Sequence, residues 1–183
     1  VQFISRLIDH LLANDSIDPK KVYATGHSNG GMMSYRLACE LSGKIAAIAP
    51  NATTMVMSSA CNPVRPVPVL HLHSKLDENV PYTGGYGNGI SGAYFPPLDS
   101  VFAVWSANNA CGSAPQIVHS DNRYTLREWT ACGENASIQY YLTEDGGHAW
   151  PGGLPGSAGA DQPSTAINAN DLLWDFFRQH PMP

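Results

Sequence analysis

Residues 22–33 read VYATGHSNGGMM. β-Branched and aromatic residues run into Gly26, and an amphipathic run, GGMMSYRLACELSG over 30–43, leaves from Gly30. The first part predicts a strand over 22–26. The second predicts a helix over 30–43, with Met33, Leu37 and Leu41 on one stripe and Gly43 as its C-cap. Between them stands Gly26-His27-Ser28-Asn29-Gly30, a serine between two glycines at a strand-to-helix junction. Such a turn projects the hydroxyl from a sharp, strained bend, and flanking glycines let the bend close without Cβ clashes. The N-terminus of the following helix turns its free N–H groups toward the same point. Ser28 is therefore the candidate nucleophile.

Outward from this junction, strands alternate with helices. VQFISRLIDHLLAND opens the chain with Val1, Ile4, Leu7, Ile8, Leu11 and Leu12 on one helical face over 1–13, and Pro19 blocks its continuation. The continuous apolar runs 44–52 and 67–77 predict strands buried on both faces. A Gly- and Pro-rich stretch over 82–97 predicts an irregular loop bordering a pocket. A helix follows over 98–111, with Val101, Val104 and Trp105 clustered. Strands are expected over 124–132 and 137–145, and a closing helix over 163–180, capped by Ser164 or Thr165 and ended by Pro181. This pattern predicts an α/β fold with a mostly parallel sheet and flanking helices. With no internal repeat or linker, 1–183 reads as a single domain.

A nucleophilic serine needs a base and an acid that orients it. Where a strand-turn-helix carries the serine, the acid follows a late parallel strand and the histidine follows the last one. Asp77 stands just past the apolar run in VLHLHSKLDENVPY, and His148 stands in a glycine-rich loop in YYLTEDGGHAWPGG. Glu78 and Asp99 compete with Asp77, but the first falls one residue late and the second belongs to another element. His71 and His73 alternate with Leu70 and Leu72 inside an apolar strand and read as packed, hydrogen-bonded histidines. His27, locked in the turn, is expected to point away from the site. A metal centre on His71, His73 and Asp77 is a distant alternative, because no Cys or carboxylate partner stands at zinc spacing. No metal and no cofactor is implied.

Composition narrows the function classes. Apolar residues make up 43% and charged residues 14% of the chain, which suits a folded core. A formal net charge of −5 gives no electrostatic case for nucleic acid or an anionic membrane surface. No apolar run approaches the roughly 20 residues that span a bilayer. The four cysteines, Cys39, Cys61, Cys111 and Cys132, allow three pairings. Sequential pairing would close two local loops, and buried free thiols are the alternative. Disulfides would point to an oxidising, extracellular setting. Asn14, Asn51 and Asn135 head N-x-S/T sequons. The chain lacks an initiator Met and opens inside a helical pattern, so it reads as part of a longer protein.

Three stretches, VYATGHSNGGMMSYRLACELSGKIAAIAP, HSKLDENVPYTGG and GGHAWPGG, together resemble the polyhydroxybutyrate depolymerase and feruloyl esterase group of secreted α/β-hydrolases, including its LpqC-like members. The resemblance covers essentially the whole chain, with the motifs in family order. It implies an α/β-hydrolase fold, of which this chain is the C-terminal portion. It implies a serine carboxylesterase in which Ser28 attacks the ester, His148 moves the proton and Asp77 orients His148. The N–H of Asn29 would be one oxyanion donor, and Trp150 the aromatic beside the substrate. Substrates would be feruloyl or acetyl esters of plant cell-wall polysaccharide, or short polyesters such as polyhydroxybutyrate. The family's cysteines resemble these four in position, which supports sequential disulfides in a secreted protein. The departure from the family lies upstream, where the first strands and the His-Gly loop with the second oxyanion donor would stand. The chain contains no His-Gly dipeptide. An N-terminal fragment or self-association at the exposed sheet edge would complete it. The rival reading is a catalytically idle polymer- or carbohydrate-binding remnant.

Overall fold

The computed structural model describes residues 1–89, 92–112 and 114–183. Ile90 and Ser91, within the expected 82–97 loop, and Ser113, beside Cys111, lie outside the described residues. The eight strands among the described residues are β1 (Ala24–His27), β2 (Ile48–Asn51), β3 (Val69–Ser74), β4 (Gly85–Tyr86), β5 (Tyr94–Phe95), β6 (Gln116–Ser120), β7 (Tyr124–Trp129) and β8 (Ile138–Thr143). The α-helices are α1 (Gln2–Asn14), α2 (Asn29–Glu40), α3 (Leu98–Asn108) and α4 (Ala169–Gln179).

Six strands form one sheet in the order β1-β2-β3-β8-β7-β6, and β4 and β5 form a separate antiparallel pair. β1, β2, β3 and β8 run parallel, with Gly26 opposite Pro50, Ile48 opposite Val69 and Val69 opposite Ile138. β7 and β6 continue antiparallel, and a register shift falls between Ile117 and His119. The helices divide the sheet's two faces. Tyr35 and Leu37 of α2 and Phe102 and Trp105 of α3 pack with Val69, Ile138 and Tyr140, and Ile8 of α1 joins them. Leu173, Phe176 and Phe177 of α4 pack with Leu70, Leu72 and Tyr141 on the other face. Alternate residues of β3 thus enter opposite cores, which is why its sequence is apolar without a break. Each fully buried large side chain contributes about 1.5–3 kcal/mol.

The structure corrects several boundaries. β1 starts at Ala24 and continues through His27, later than the expected 22–26. α2 starts at Asn29 and ends at Glu40, with Leu41 rather than Gly43 at its cap. Its buried face is Gly31, Ser34, Tyr35, Leu37, Ala38 and Cys39, while Met33 is 41% exposed. Gly31 packs so close to the segment after β2 that a Cβ there would meet Thr53 Cγ2 at 2.6 Å. α4 starts at Ala169, capped by Asn168, whose side chain accepts from the Asp171 N–H. Ser164 and Thr165 instead donate to the Asp145 carboxylate. β6 has no counterpart in the sequence reading. It is an edge strand with Ile117 66% and Val118 50% exposed, so it lacks the alternation that burial imposes.

Both sequential disulfides are formed, Cys39–Cys61 and Cys111–Cys132. They close loops of 22 and 21 residues, which on chain-entropy grounds is worth about 3 kcal/mol each. The first ties the end of α2 to the segment leading into β3. The second ties the end of α3 to the turn before β8.

Candidate active site

Ser28 sits between β1 and α2 with φ 55° and ψ −119°. A side chain rarely adopts this conformation, which costs about 1–3 kcal/mol and persists only where the surroundings enforce it. Two backbone bonds do so here: the Ser28 N–H donates to the Asn51 carbonyl at 3.0 Å, and the Ser28 carbonyl accepts from the Met32 N–H at 3.0 Å. The two motif glycines differ in role. A Cβ on Gly26 would stand 2.4 Å from the Gly30 carbonyl carbon, whereas one on Gly30 would meet nothing within 4 Å. Gly26→Ala is expected to cost about 2–3 kcal/mol, because only backbone could give way. Gly30→Ala should stay within about 0.5 kcal/mol of the parent. Urea unfolding of both variants checks this, and equal losses would contradict it.

β3 delivers Asp77 and β8 delivers His148. The His148 Nδ1–H donates to Asp77 Oδ2 at 2.9 Å, so in the neutral ring it is Nε2 that carries the lone pair. Asp77 is 3% exposed, and its other oxygen accepts from the Val80 N–H at 2.8 Å. His73 Nε2 lies 3.4 Å from Asp77 Oδ2. The histidine loop is fixed from outside the sheet, as the His148 N–H donates to Asp161 at 2.6 Å. Ser28, Asn29 and His148 line one groove of about 810 Å3, with Met32, Val56, Val80, Tyr94 and Phe95 forming its apolar wall. Asn79 and Asn88 add amide groups to the lining. The stretch 82–97 therefore does border a pocket, through β5 and the residues around Asn88.

Other sequence expectations fall differently. His27 does not point away: its ring lies 4.6 Å from that of His148, and its Nδ1 accepts from Asn51 Nδ2 at 2.9 Å. Burial, and then the neighbouring His148, lower its pKa, so His27 stays neutral near pH 7. Asn51 also donates to the Ala149 carbonyl at 3.0 Å, linking β2 to the histidine loop. Asn51 is 1% exposed, so its sequon is closed to a glycan. Trp150 is not among the groove's lining residues. It packs toward the α4 core and donates from Nε1 to Asn170 Oδ1 at 3.1 Å. Glu78 accepts from Asn88, and Asp99 of α3 pairs with Arg127 of β7. Among the described residues no group of three or more His, Cys, Asp or Glu stands ready to hold a metal ion. Asn51 and the groove's apolar wall were missed because they converge from separate elements with no local pattern.

His71 and His73 are packed and buried, as their strand pattern predicts. Burial holds both below the ordinary histidine value of 6.5. A lowered folded-state pKa means that the unfolded chain binds more protons between the two values. The stability these residues contribute is complete above about pH 6.5 and is lost as pH falls toward their folded-state values. The melting temperature is expected to drop steadily below pH 6.5, and a flat profile down to pH 5 would contradict the assignment.

Compared with solved structures, the chain matches an acetyl xylan esterase from Aspergillus awamori with a TM-score of 0.64 at 14% identity, covering 97% of this chain and 66% of that one. A family model described as Phospholipase/Carboxylesterase matches residues 1–88. The chain has an α/β-hydrolase fold. By sequence this α/β-hydrolase chain is 30% identical over 189 residues to feruloyl esterase B of Piromyces equi, covering 100% of this chain and 32% of that protein. It is 27% identical to a bifunctional acetylxylan esterase/xylanase of Neocallimastix patriciarum, covering 97% of this chain and 23% of that protein. It is also 30% identical to a putative esterase of Nocardia uniformis subsp. tsuyamanensis, covering 94% of this chain and 56% of that protein. The α/β-hydrolase chain thus spans between about a quarter and just over half the length of these curated relatives.

Proposed function

We propose that this chain carries a serine carboxylesterase centre built on Ser28, His148 and Asp77. The observation that carries the reading is the 2.9 Å hydrogen bond from His148 to buried Asp77, with His148 and the strained Ser28 facing one groove. In this reaction Ser28 Oγ bonds to the ester carbonyl carbon as its proton passes to His148 Nε2. The tetrahedral intermediate collapses, the C–O bond to the alcohol breaks, and His148 returns the proton to the departing alkoxide oxygen. Water then repeats the sequence on the acyl-enzyme and releases the acid. Asp77 keeps His148 in the Nδ1–H tautomer and stabilises its charged form. The Asn29 N–H, at the start of α2, serves as one oxyanion donor.

Feruloyl or acetyl esters of plant cell-wall polysaccharide are the proposed substrates, with short polyesters such as polyhydroxybutyrate as the further candidate. The apolar wall of Met32, Val80, Tyr94 and Phe95 suits an aromatic acyl group, and relatives named feruloyl and acetylxylan esterases support the class. Two disulfides support a secreted location. A fluorophosphonate probe tests the centre: intact mass should rise by one label, and digestion should map it to Ser28. A folded protein that takes no label would overturn the reading and favour an idle, polymer-binding role.

A further inference from the structure

We propose that His73 is a positioning residue for the Asp77–His148 pair, held in a single tautomer by a buried donor chain that starts at Tyr35. This assignment rests on the esterase reading above. Tyr35, His71 and His73 are each no more than 1% exposed. The Tyr35 hydroxyl lies 2.8 Å from His71 Nδ1, His71 Nε2 lies 3.1 Å from His73 Nδ1, and His73 Nε2 lies 2.8 Å from the Val80 carbonyl.

The direction of every bond follows from the last one. A carbonyl oxygen only accepts, so His73 must carry its proton on Nε2. A neutral His73 then has a lone pair on Nδ1, so His71 must donate from Nε2. His71 in turn has its lone pair on Nδ1, and the Tyr35 hydroxyl donates to it. Burial disfavours a second proton on either ring, so the chain is neutral and runs one way, from α2 through β3 to the turn after β3.

The last donor reaches two groups. The His73 N–H faces the Val80 carbonyl and, at 3.4 Å, Asp77 Oδ2, while the Val80 N–H holds Asp77 Oδ1 at 2.8 Å. His73 therefore clamps both ends of the turn 77–80 and offsets part of the charge that Asp77 presents to His148. The groups facing His148 are Asp77 and His73, His27 from β1, and Asp161 through the backbone N–H. Loss of the His73 donor leaves Asp77 more negative toward His148 and favours the imidazolium.

Tyr35→Phe keeps the ring and removes the first donor. It is expected to lower kcat about tenfold with KM within about twofold. The acid limb of the kcat/KM profile should move to higher pH. His73→Phe should shift both in the same direction and further, and His73→Gln, which keeps an N–H, should recover part of the loss. Long-range 1H–15N correlation should find His71 and His73 both in the Nε2–H tautomer. An Nδ1–H tautomer at either ring, or a folded Tyr35→Phe variant with unchanged kcat and unchanged acid limb, would overturn the proposal. If the parent takes no fluorophosphonate and turns over no ester, the esterase reading fails, and with it the positioning role. The NMR result separates that failure from an error in the donor chain itself.

Discussion

Ser28→Ala is expected to lower hydrolysis of 4-nitrophenyl acetate about a million-fold relative to the parent while leaving the fold unchanged. The effect is large because, in the proposed mechanism, the serine oxygen forms the covalent bond to the acyl group. The reason for an intact fold is that the backbone secures the turn. The bonds from the Ser28 N–H to Asn51 and from the Met32 N–H to Ser28 survive the change. Alanine meets the same strain at φ 55° as serine, so the substitution adds none. Steady-state rates, with circular dichroism as the control, check both halves of the expectation. A folded variant that retained a tenth of the parental rate would rule out Ser28 as the nucleophile.

Asp77→Asn is expected to lower kcat about ten-thousand-fold, and also to destabilise the protein by about 1–3 kcal/mol. The carboxylate accepts on both sides: from the Val80 N–H on one oxygen and from His148 on the other, with His73 Nε2 3.4 Å from that second oxygen. An amide has one oxygen and one NH2. Whichever way it turns, a donor faces a donor in a buried place, and turning its oxygen toward Val80 aims the NH2 at His148. That contact favours the wrong imidazole tautomer, with the proton on Nε2, where the proposed reaction needs a lone pair. Rates and melting temperature measured together test the argument. A variant with normal stability and normal kcat would show that Asp77 does not orient His148.

Legibility in the sequence followed the range of the interactions. The elbow was readable because strand, glycine, serine and helix are consecutive, and the constraint that demands Gly26 arises four residues away at Gly30. Asp77 was proposed because it follows an apolar run and His148 because it follows a strand of alternating pattern, and the fold places the two within hydrogen-bond distance. The lower end of α4 was misread because Ser164 and Thr165 are good caps in isolation, but Asp145 claims both hydroxyls. Met33 was placed inside by periodicity, yet it is 41% exposed, and α2 buries Gly31, Ser34 and Tyr35 instead. β6 was missed because an exposed edge carries no burial pattern.

The sequence by itself determined the α/β alternation, the serine turn between strand and helix, and the chain order in which Ser28, Asp77 and His148 follow their strands. These features are local, set by backbone preference and by the period of burial. Only the tertiary structure decided which residues surround the proposed catalytic groups. It brought His27 to His148, tied Asn51 to His27 and to the Ala149 carbonyl, and sent Trp150 to the α4 core. It also joined Tyr35, His71 and His73 into one chain of donors beneath Asp77. Those contacts join residues distant in sequence, and their geometry exists only once β3 lies between β2 and β8 with α2 packed across it.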